Sequence, residues 1–486
     1  MLPLHLPRSP RPKLRSAVGG AGLLVLGFVA LLLARPDGNG VRPDLALVGA
    51  TLVDGTGSPP VPDAVVLVEG GRIACAGSRA ACPVPEGVRL VDLAGRWIAP
   101  GLIDAHVHYS QTGWADGRPD ALDVRDRFGY AETVAALEER PERFHRAYLC
   151  SGVTAVFDVG GYPWTWDLRE PGEGGDAAPH VAAAGPLLST IDHWVNVPAE
   201  KQFVHMASDS ATVAAAGYLV ANRTDAVKVW YLTGGEAPDT TALKSRLRAA
   251  AGVARAARVP LIVHATGLWQ AKDALRAGAG MLVHSVYEEP VDEEFLDLAR
   301  ESGAIYVPTL VVFEGYRQLR HRDFDPARYG DALACVDPET RAKAFLTDSL
   351  PGAPAAGERE AIDARYRETR RMAVENLRRV HEAGIPVALG TDAGNPLTLH
   401  GPSVFLEAEA MAEAGLSPME VLVAATRDAA LAMGRSDDLG TLETGKVADL
   451  VVLAADPTAD AAHLRSIESV VRNGTWHSRE DLRFPR

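Results

Sequence analysis

Between residues 100 and 392 the chain alternates short apolar runs with longer stretches of helical pattern, and this alternation constrains the fold more than any other feature. The apolar runs are Leu102–Ala105, Ala155–Asp158, Val181–Ala184, Ala226–Trp230, Leu261–Val263, Met281–Val283, Ile305–Val307 and Val387–Leu389. Each is strand-length and bounded by turn-forming or polar residues. Helical patterns over 132–150, 241–257, 269–277, 292–302 and 358–383 separate them. Strands joined through helices pair in parallel, because a parallel neighbour can be reached only by a crossover. Eight of them predict an α/β fold of the (β/α)8 TIM-barrel type. An open doubly wound sheet would require a glycine-rich phosphate turn after the first strand, whereas here that strand runs into His106-Val107-His108. Residues 313–354 are too long for a plain loop and are expected to form a lid or a rim.

The two ends read differently. Short strands separated by Gly, Pro and Asp clusters occupy 45–48, 64–68 and 72–76, and again 448–453 and 469–474. A small β-sandwich domain assembled from both ends is expected. The layout is then 1–42 as a basic apolar leader, 43–99 and 437–477 as the two parts of the small domain, 100–436 as the barrel and 478–486 as a tail.

Arg8, Arg11, Lys13 and Arg15 precede an uncharged run from Ala17 to Ala34. As a helix that run would span roughly 27 Å, near the thickness of a bilayer core. The positive flank orients it with the rest of the chain exported. A cleaved signal peptide and a retained membrane anchor at 17–34 both fit; the length of the run and the absence of small-x-small spacing favour the anchor. In an exported chain Cys75 and Cys82 either pair or remain two thiols. The net charge of −14 excludes a nucleic-acid partner, since no positive field holds phosphates. The expected partners are a small-molecule substrate and further copies of the chain in a homo-oligomer.

His106 and His108 stand two apart at a strand end, so both imidazoles face one side and can reach one metal. Lys228 lies among apolar neighbours in the fourth strand, where a buried cation needs a partner or a depressed pKa. His264 closes the fifth strand, His284 the sixth and Asp392 the eighth. Each alone has a bland reading: a core histidine, a paired lysine, a helix cap. All six nevertheless fall at the end of the strands where barrel enzymes place their sites.

This arrangement resembles the amidohydrolase superfamily, in its imidazolonepropionase-like and prolidase-like branch. The resemblance is carried by Pro100-Gly101-Leu102-Ile103-Asp104-Ala105-His106-Val107-His108, Lys228, His264, His284 and Gly390-Thr391-Asp392-Ala393-Gly394, then by residues 424–430 and 440–451. It implies two divalent metal ions, zinc by default. His106, His108 and Asp392 would hold the more buried one and His264 and His284 the more exposed one, with an N-carboxylated Lys228 bridging both. The metals would activate water, with Asp392 as the catalytic proton carrier. The implied activity is hydrolysis of amide C–N bonds in dipeptides or N-acyl amino acids. A cyclic-amide, lactone or carbamate hydrolase is the alternative, and a membrane-tethered non-catalytic protein the third reading. His193, Tyr231 and His400 are the expected substrate contacts, and 163–166 either an aromatic wall or a packed loop.

Overall fold

The computed structural model describes residues 43–192, 202–233 and 239–485. The expected leader and anchor at 1–42 lie outside these residues, as does His193. Among the described residues no helix is long and apolar enough to cross a membrane.

In chain order the strands are β1 (Leu45–Leu52), β2 (Val61–Glu69), β3 (Arg72–Ser78), β4 (Arg89–Asp92), β5 (Trp97–Pro100), β6 (Leu102–Val107), β7 (Val153–Asp158), β8 (His180–Ala183), β9 (Leu187–Ser189), β10 (Phe203–His205), β11 (Val227–Trp230), β12 (Leu261–His264), β13 (Met281–Val283), β14 (Ile305–Val307), β15 (Leu450–Leu453), β16 (Ile467–Arg472) and β17 (Thr475–Ser478). Strands from both ends of the chain build one sheet in the order β17-β16-β15-β5-β1-β2-β3, with β4 also on β1. The seam between the ends is antiparallel, pairing Leu450 with Pro100 and Leu453 with Trp97. The strand period of two sends Val66 and Val68 of β2 to one buried cluster and Val65 and Leu67 to another. The expected sandwich is not shown: these strands form a single hydrogen-bonded sheet, whose second face is covered by the segment carrying Cys82. Cys75 and Cys82 are disulfide-bonded.

The middle of the chain forms two parallel sheets, β6-β7-β8 and β10-β9-β11-β12-β13-β14. Helices intervene as expected, among them Thr240–Ala257, Leu268–Ala277 and Glu293–Ser302. Hydrogen bonds link the two sheets at both flanks. On one side the Asp225 amide donates to the Ala183 carbonyl at 3.1 Å. On the other, the segment around 387–392 bridges β14 to β6. The Ala388 amide donates to Tyr306 at 3.0 Å, and the Ala105 amide donates to Leu389 at 2.9 Å. The eighth expected strand is therefore a connecting segment with one parallel bridge, Val387 to Tyr306. It fails to form a ladder because Gly390 and the turn at Asp392 divert it at once. The short pair β9–β10 carries too few residues for a period to show in the sequence.

The rim after β14 is helical, with Val312–His321, Pro338–Leu346 and Ala356–Glu382. A second disulfide, Cys150–Cys335, ties this rim to the helix Glu142–Cys150, and Lys343 reaches the buried Asp116 at 2.9 Å. A further polar knot joins β8 to the terminal sheet. His180 bonds Glu173 at 2.8 Å and Asp449 at 3.3 Å, while the fully buried Arg472 pairs with Asp449 at 3.4 Å.

Two outcomes follow. Replacing Cys150 and Cys335 by serine removes a cross-link over 185 positions, and should lower the unfolding free energy by about 2–4 kcal/mol in denaturant titration. Burial opposes the charge on His180, but its bonds to Asp449 and Glu173 outweigh that and raise its pKa. Its stabilising contribution is thus complete below about pH 6 and lost as pH rises through the raised value. The difference in Tm between the native chain and His180→Gln should shrink as pH rises from about 6 to 8; a constant difference contradicts the assignment.

Candidate metal centre

The site is assembled at the carboxyl ends of the parallel strands. His106 lies in β6 and is fully buried, and His108 follows one residue beyond the strand. Two carboxylates not singled out in the sequence hold them. Asp104 Oδ1 accepts from the His106 amide at 3.2 Å and the Thr391 amide at 2.9 Å, and Oδ2 accepts from Thr391 Oγ1 at 2.6 Å. It therefore clasps β6 to the Asp392 turn. Burial raises its pKa to about 7, against the hydrogen bonds from Thr391 and His106. Asp158 accepts from the amides of Tyr109 and Gly160 at 2.8 and 3.1 Å, and Gly160 in turn offers its carbonyl to His108 Nδ1 at 2.7 Å.

Backbone geometry concentrates here. His284 and Asp392 both adopt left-handed φ values, 70° and 62°, which non-glycine residues rarely take. The structure spends strain where it aims these side chains. Gly390 is obligatory for a different reason: a Cβ there would meet Val307 at 2.5 Å and the His106 Cβ at 2.8 Å. Glycine alone lets the Asp392 turn approach β6.

The resulting side-chain geometry is tight. His106 Nε2 lies 3.3 Å from His108 Nε2, and Asp392 Oδ1 lies 3.3 Å from the first and 3.0 Å from the second. Donors around a tetrahedral zinc at 2.0–2.1 Å stand about 3.3–3.4 Å apart, so the spacing suits such an ion. The chemistry agrees. His108 gives its Nδ1–H to Gly160 and in its neutral form presents a bare Nε2. Burial first, then the charge of Lys228, pulls His106 down to about pKa 3. Burial works against the Asp392 carboxylate, yet His106 and His108 hold its pKa well below the usual range. Asp392 Oδ1 is buried without a hydrogen-bond partner among the described residues. Three potential ligand atoms thus face one another at a buried point, and a cation between them would satisfy all three. His106, His284 and Asp392 also form a group whose ligand atoms all lie within 4.8 Å of one another.

The remaining expected ligands adjoin. The His264 and His284 rings are 4.3 Å apart, and those of His106 and His284 4.9 Å apart. His264 pairs in register with Trp230, which sets Lys228 two residues deeper on β11. Burial lowers the Lys228 pKa to about 7, opposed by Asp392. His108, Lys228, His264, His284 and Asp392 line one cavity of about 350 Å³.

The expected substrate contacts fare differently. Tyr231 is not among the cavity's lining residues; it is 1% exposed and its hydroxyl donates to Asp273 at 2.7 Å. Lying beyond the end of β11, it points away from the cavity that Trp230 lines. His400 also lies outside the lining, held between the Tyr148 hydroxyl at 2.7 Å and the Gln111 carbonyl at 2.9 Å. Its role is to brace the loop after His108. Trp164 and Trp166 are buried in a packed turn and lie outside this cavity's lining. The cavity instead uses Phe203, Trp230, Tyr287, Phe313, Tyr316 and Tyr366. Phe203 stacks on Trp230 at 5.1 Å. Of the lining aromatics, Phe313 and Tyr316 fall in the segment 313–354, whose length alone signalled a rim, and Tyr366 lies on the helix expected over 358–383.

A sequence profile of the amidohydrolase family matches residues 97–477. An imidazolonepropionase from Caulobacter vibrioides (strain NA1000 / CB15N) is 26% identical over 443 residues, covering 85% of this chain and 93% of that protein. Among solved structures, a Xaa-Pro dipeptidase with methionine bound in its active site superposes with a TM-score of 0.67 at 23% identity, covering 89% of this chain and 99% of that one. Molinate hydrolase superposes with a TM-score of 0.67 at 23% identity, covering 92% and 98%.

The clasp makes a testable demand. Asp104→Ala strands the buried amides of His106 and Thr391 and should cost about 3 kcal/mol or more in denaturant unfolding. Ordinary stability in that variant would show that the clasp does not hold the Asp392 turn.

Proposed function

The chain belongs to the amidohydrolase family, and on that premise we propose that it is a metal-dependent hydrolase cleaving amide C–N bonds in dipeptides or N-acyl amino acids. The observation that carries this reading is the convergence of His106 Nε2, His108 Nε2 and Asp392 Oδ1 within 3.0–3.3 Å of one another. The hydrogen bonds across both flanks of the parallel sheets support a closed (β/α)8 barrel as the frame.

His106, His108 and Asp392 would hold one divalent ion, and His264 and His284 a second. Lys228 would take up carbon dioxide and serve both as a carbamate. Zinc suits a histidine-rich set with a carboxylate. When bound, the ions supply Lewis acidity, which polarises a carbonyl and brings the pKa of water into the neutral range. Asp392 accepts the proton of the attacking water at Oδ2, the oxygen that His106 and His108 do not engage, and delivers it to the departing nitrogen. The oxygen–carbon bond forms, the carbon–nitrogen bond breaks, and the amine leaves protonated. Phe203, Trp230, Tyr287 and Phe313 hold the apolar part of the substrate and keep bulk water away.

A cyclic amide, lactone or carbamate would meet the same six residues. The imidazolonepropionase among the relatives keeps this as the second reading. The two disulfides and the basic, apolar leader support a chain that works outside the cytoplasm.

A library of dipeptides and N-acyl amino acids offered to metal-loaded protein tests the reading. Asp392→Asn should reduce turnover about 10³-fold or more. Elemental analysis should give two divalent ions in the native chain and about one in Lys228→Ala. The reading fails if no library member is cleaved faster by the native chain than by Asp392→Asn.

A further inference from the structure

The chain carries a net charge of −14, yet its cavity is lined by the opposite sign. Arg118, Arg317, Arg320 and Arg365 line it, and Asp392 is the sole carboxylate among its described lining residues. Carboxylates near the cavity are already engaged. Asp120 takes Arg118 at 2.7 Å. Glu314 and Asp363 take Arg317 at 2.8 and 3.3 Å. Glu288 accepts from Thr266 at 3.0 Å. Arg320, on the helix Val312–His321, and Arg365, on Ala356–Glu382, are exposed and make no ion pair or side-chain hydrogen bond among the described residues. Two uncompensated guanidinium groups thus stand on neighbouring rim helices, across an aromatic-lined space from the histidine cluster.

Resting on the hydrolase reading, we propose that Arg320 and Arg365 select amide substrates whose outward-projecting end carries a carboxylate, while the aromatic lining takes an apolar acyl group. The preferred class is an aromatic N-acyl derivative of a dicarboxylic amino acid. Guanidinium groups suit this task because they stay charged and grip a carboxylate through two parallel donors. Their placement at a rim, in a chain otherwise negative, also draws anionic substrates in, an effect that salt weakens.

N-benzoyl-glutamate and N-benzoyl-glutamine test this, since they share shape and α-carboxylate and differ only in the charge of the outer group. Calorimetry with the full chain bearing Asp392→Asn separates binding from turnover. The glutamate probe should bind about five- to tenfold more tightly at low salt, as two partly exposed ion pairs allow. The preference should fall to about twofold or less when Arg320→Ala and Arg365→Ala are added, and survive Arg320→Lys with Arg365→Lys in larger part. Unchanged affinity for the glutamine probe reports that the alanine variant is folded. Equal affinity for the two probes, binding of neither, or a preference that persists in the alanine variant overturns the proposal. A charge preference in binding, with no library member hydrolysed by the native metal-loaded chain, leaves the selecting rim standing and removes the hydrolase reading instead.

Discussion

A single buried carboxylate sets the register of the whole site. Asp104 sits in the first parallel strand and accepts three hydrogen bonds, one from the His106 amide and two from Thr391. The two bonds from Thr391 span 287 positions of sequence and bring the turn carrying Asp392 against the strand carrying His106. Such a carboxylate is costly to bury, and its raised pKa records that cost. The cost is offset by satisfied donors on both sides. The clasp acts together with backbone bonds at the same turn, such as the Asp392 amide donating to the His106 carbonyl at 2.8 Å.

From that join the electrostatics follow. The imidazoles of His106, His264 and His284 are driven toward the neutral form by burial, while Asp392 stays ionised. Neutral imidazoles and an ionised carboxylate are the states in which these groups ligate metals. Lys228, with its pKa near 7, belongs to the same set. Arginines at the rim and aromatics on the walls border the same cavity.

Much of this was legible in the sequence, and the exceptions have physical causes. His106, His108, Lys228, His264, His284 and Asp392 could be found because strand ends impose a common side on residues distant in sequence. Cys75–Cys82 stood out by its short spacing, whereas Cys150–Cys335 joins two helical segments 185 positions apart and leaves no local trace. Asp104 and Asp158 were hidden because a buried aspartate bonding backbone amides has no period. Tyr231 and His400 lie outside the cavity's lining for the converse reason. Proximity in sequence to Lys228 and Asp392 suggested the cavity, but packing turned both side chains into hydrogen bonds elsewhere. Of the rim helices, Ala356–Glu382 was announced by its pattern over 358–383, whereas Pro338–Leu346 depends on tertiary contacts such as Lys343 with Asp116.

X-ray absorption spectroscopy of the zinc-loaded chain tests the central claim most directly. The account predicts only nitrogen and oxygen neighbours at about 2.0–2.1 Å, with the multiple-scattering signature of imidazole. It also predicts a metal–metal vector near 3.5–4 Å, about the separation found in two-metal hydrolytic sites. A spectrum of fully hydrated zinc without imidazole scattering would contradict it, because His106, His108 and Asp392 would then hold no ion.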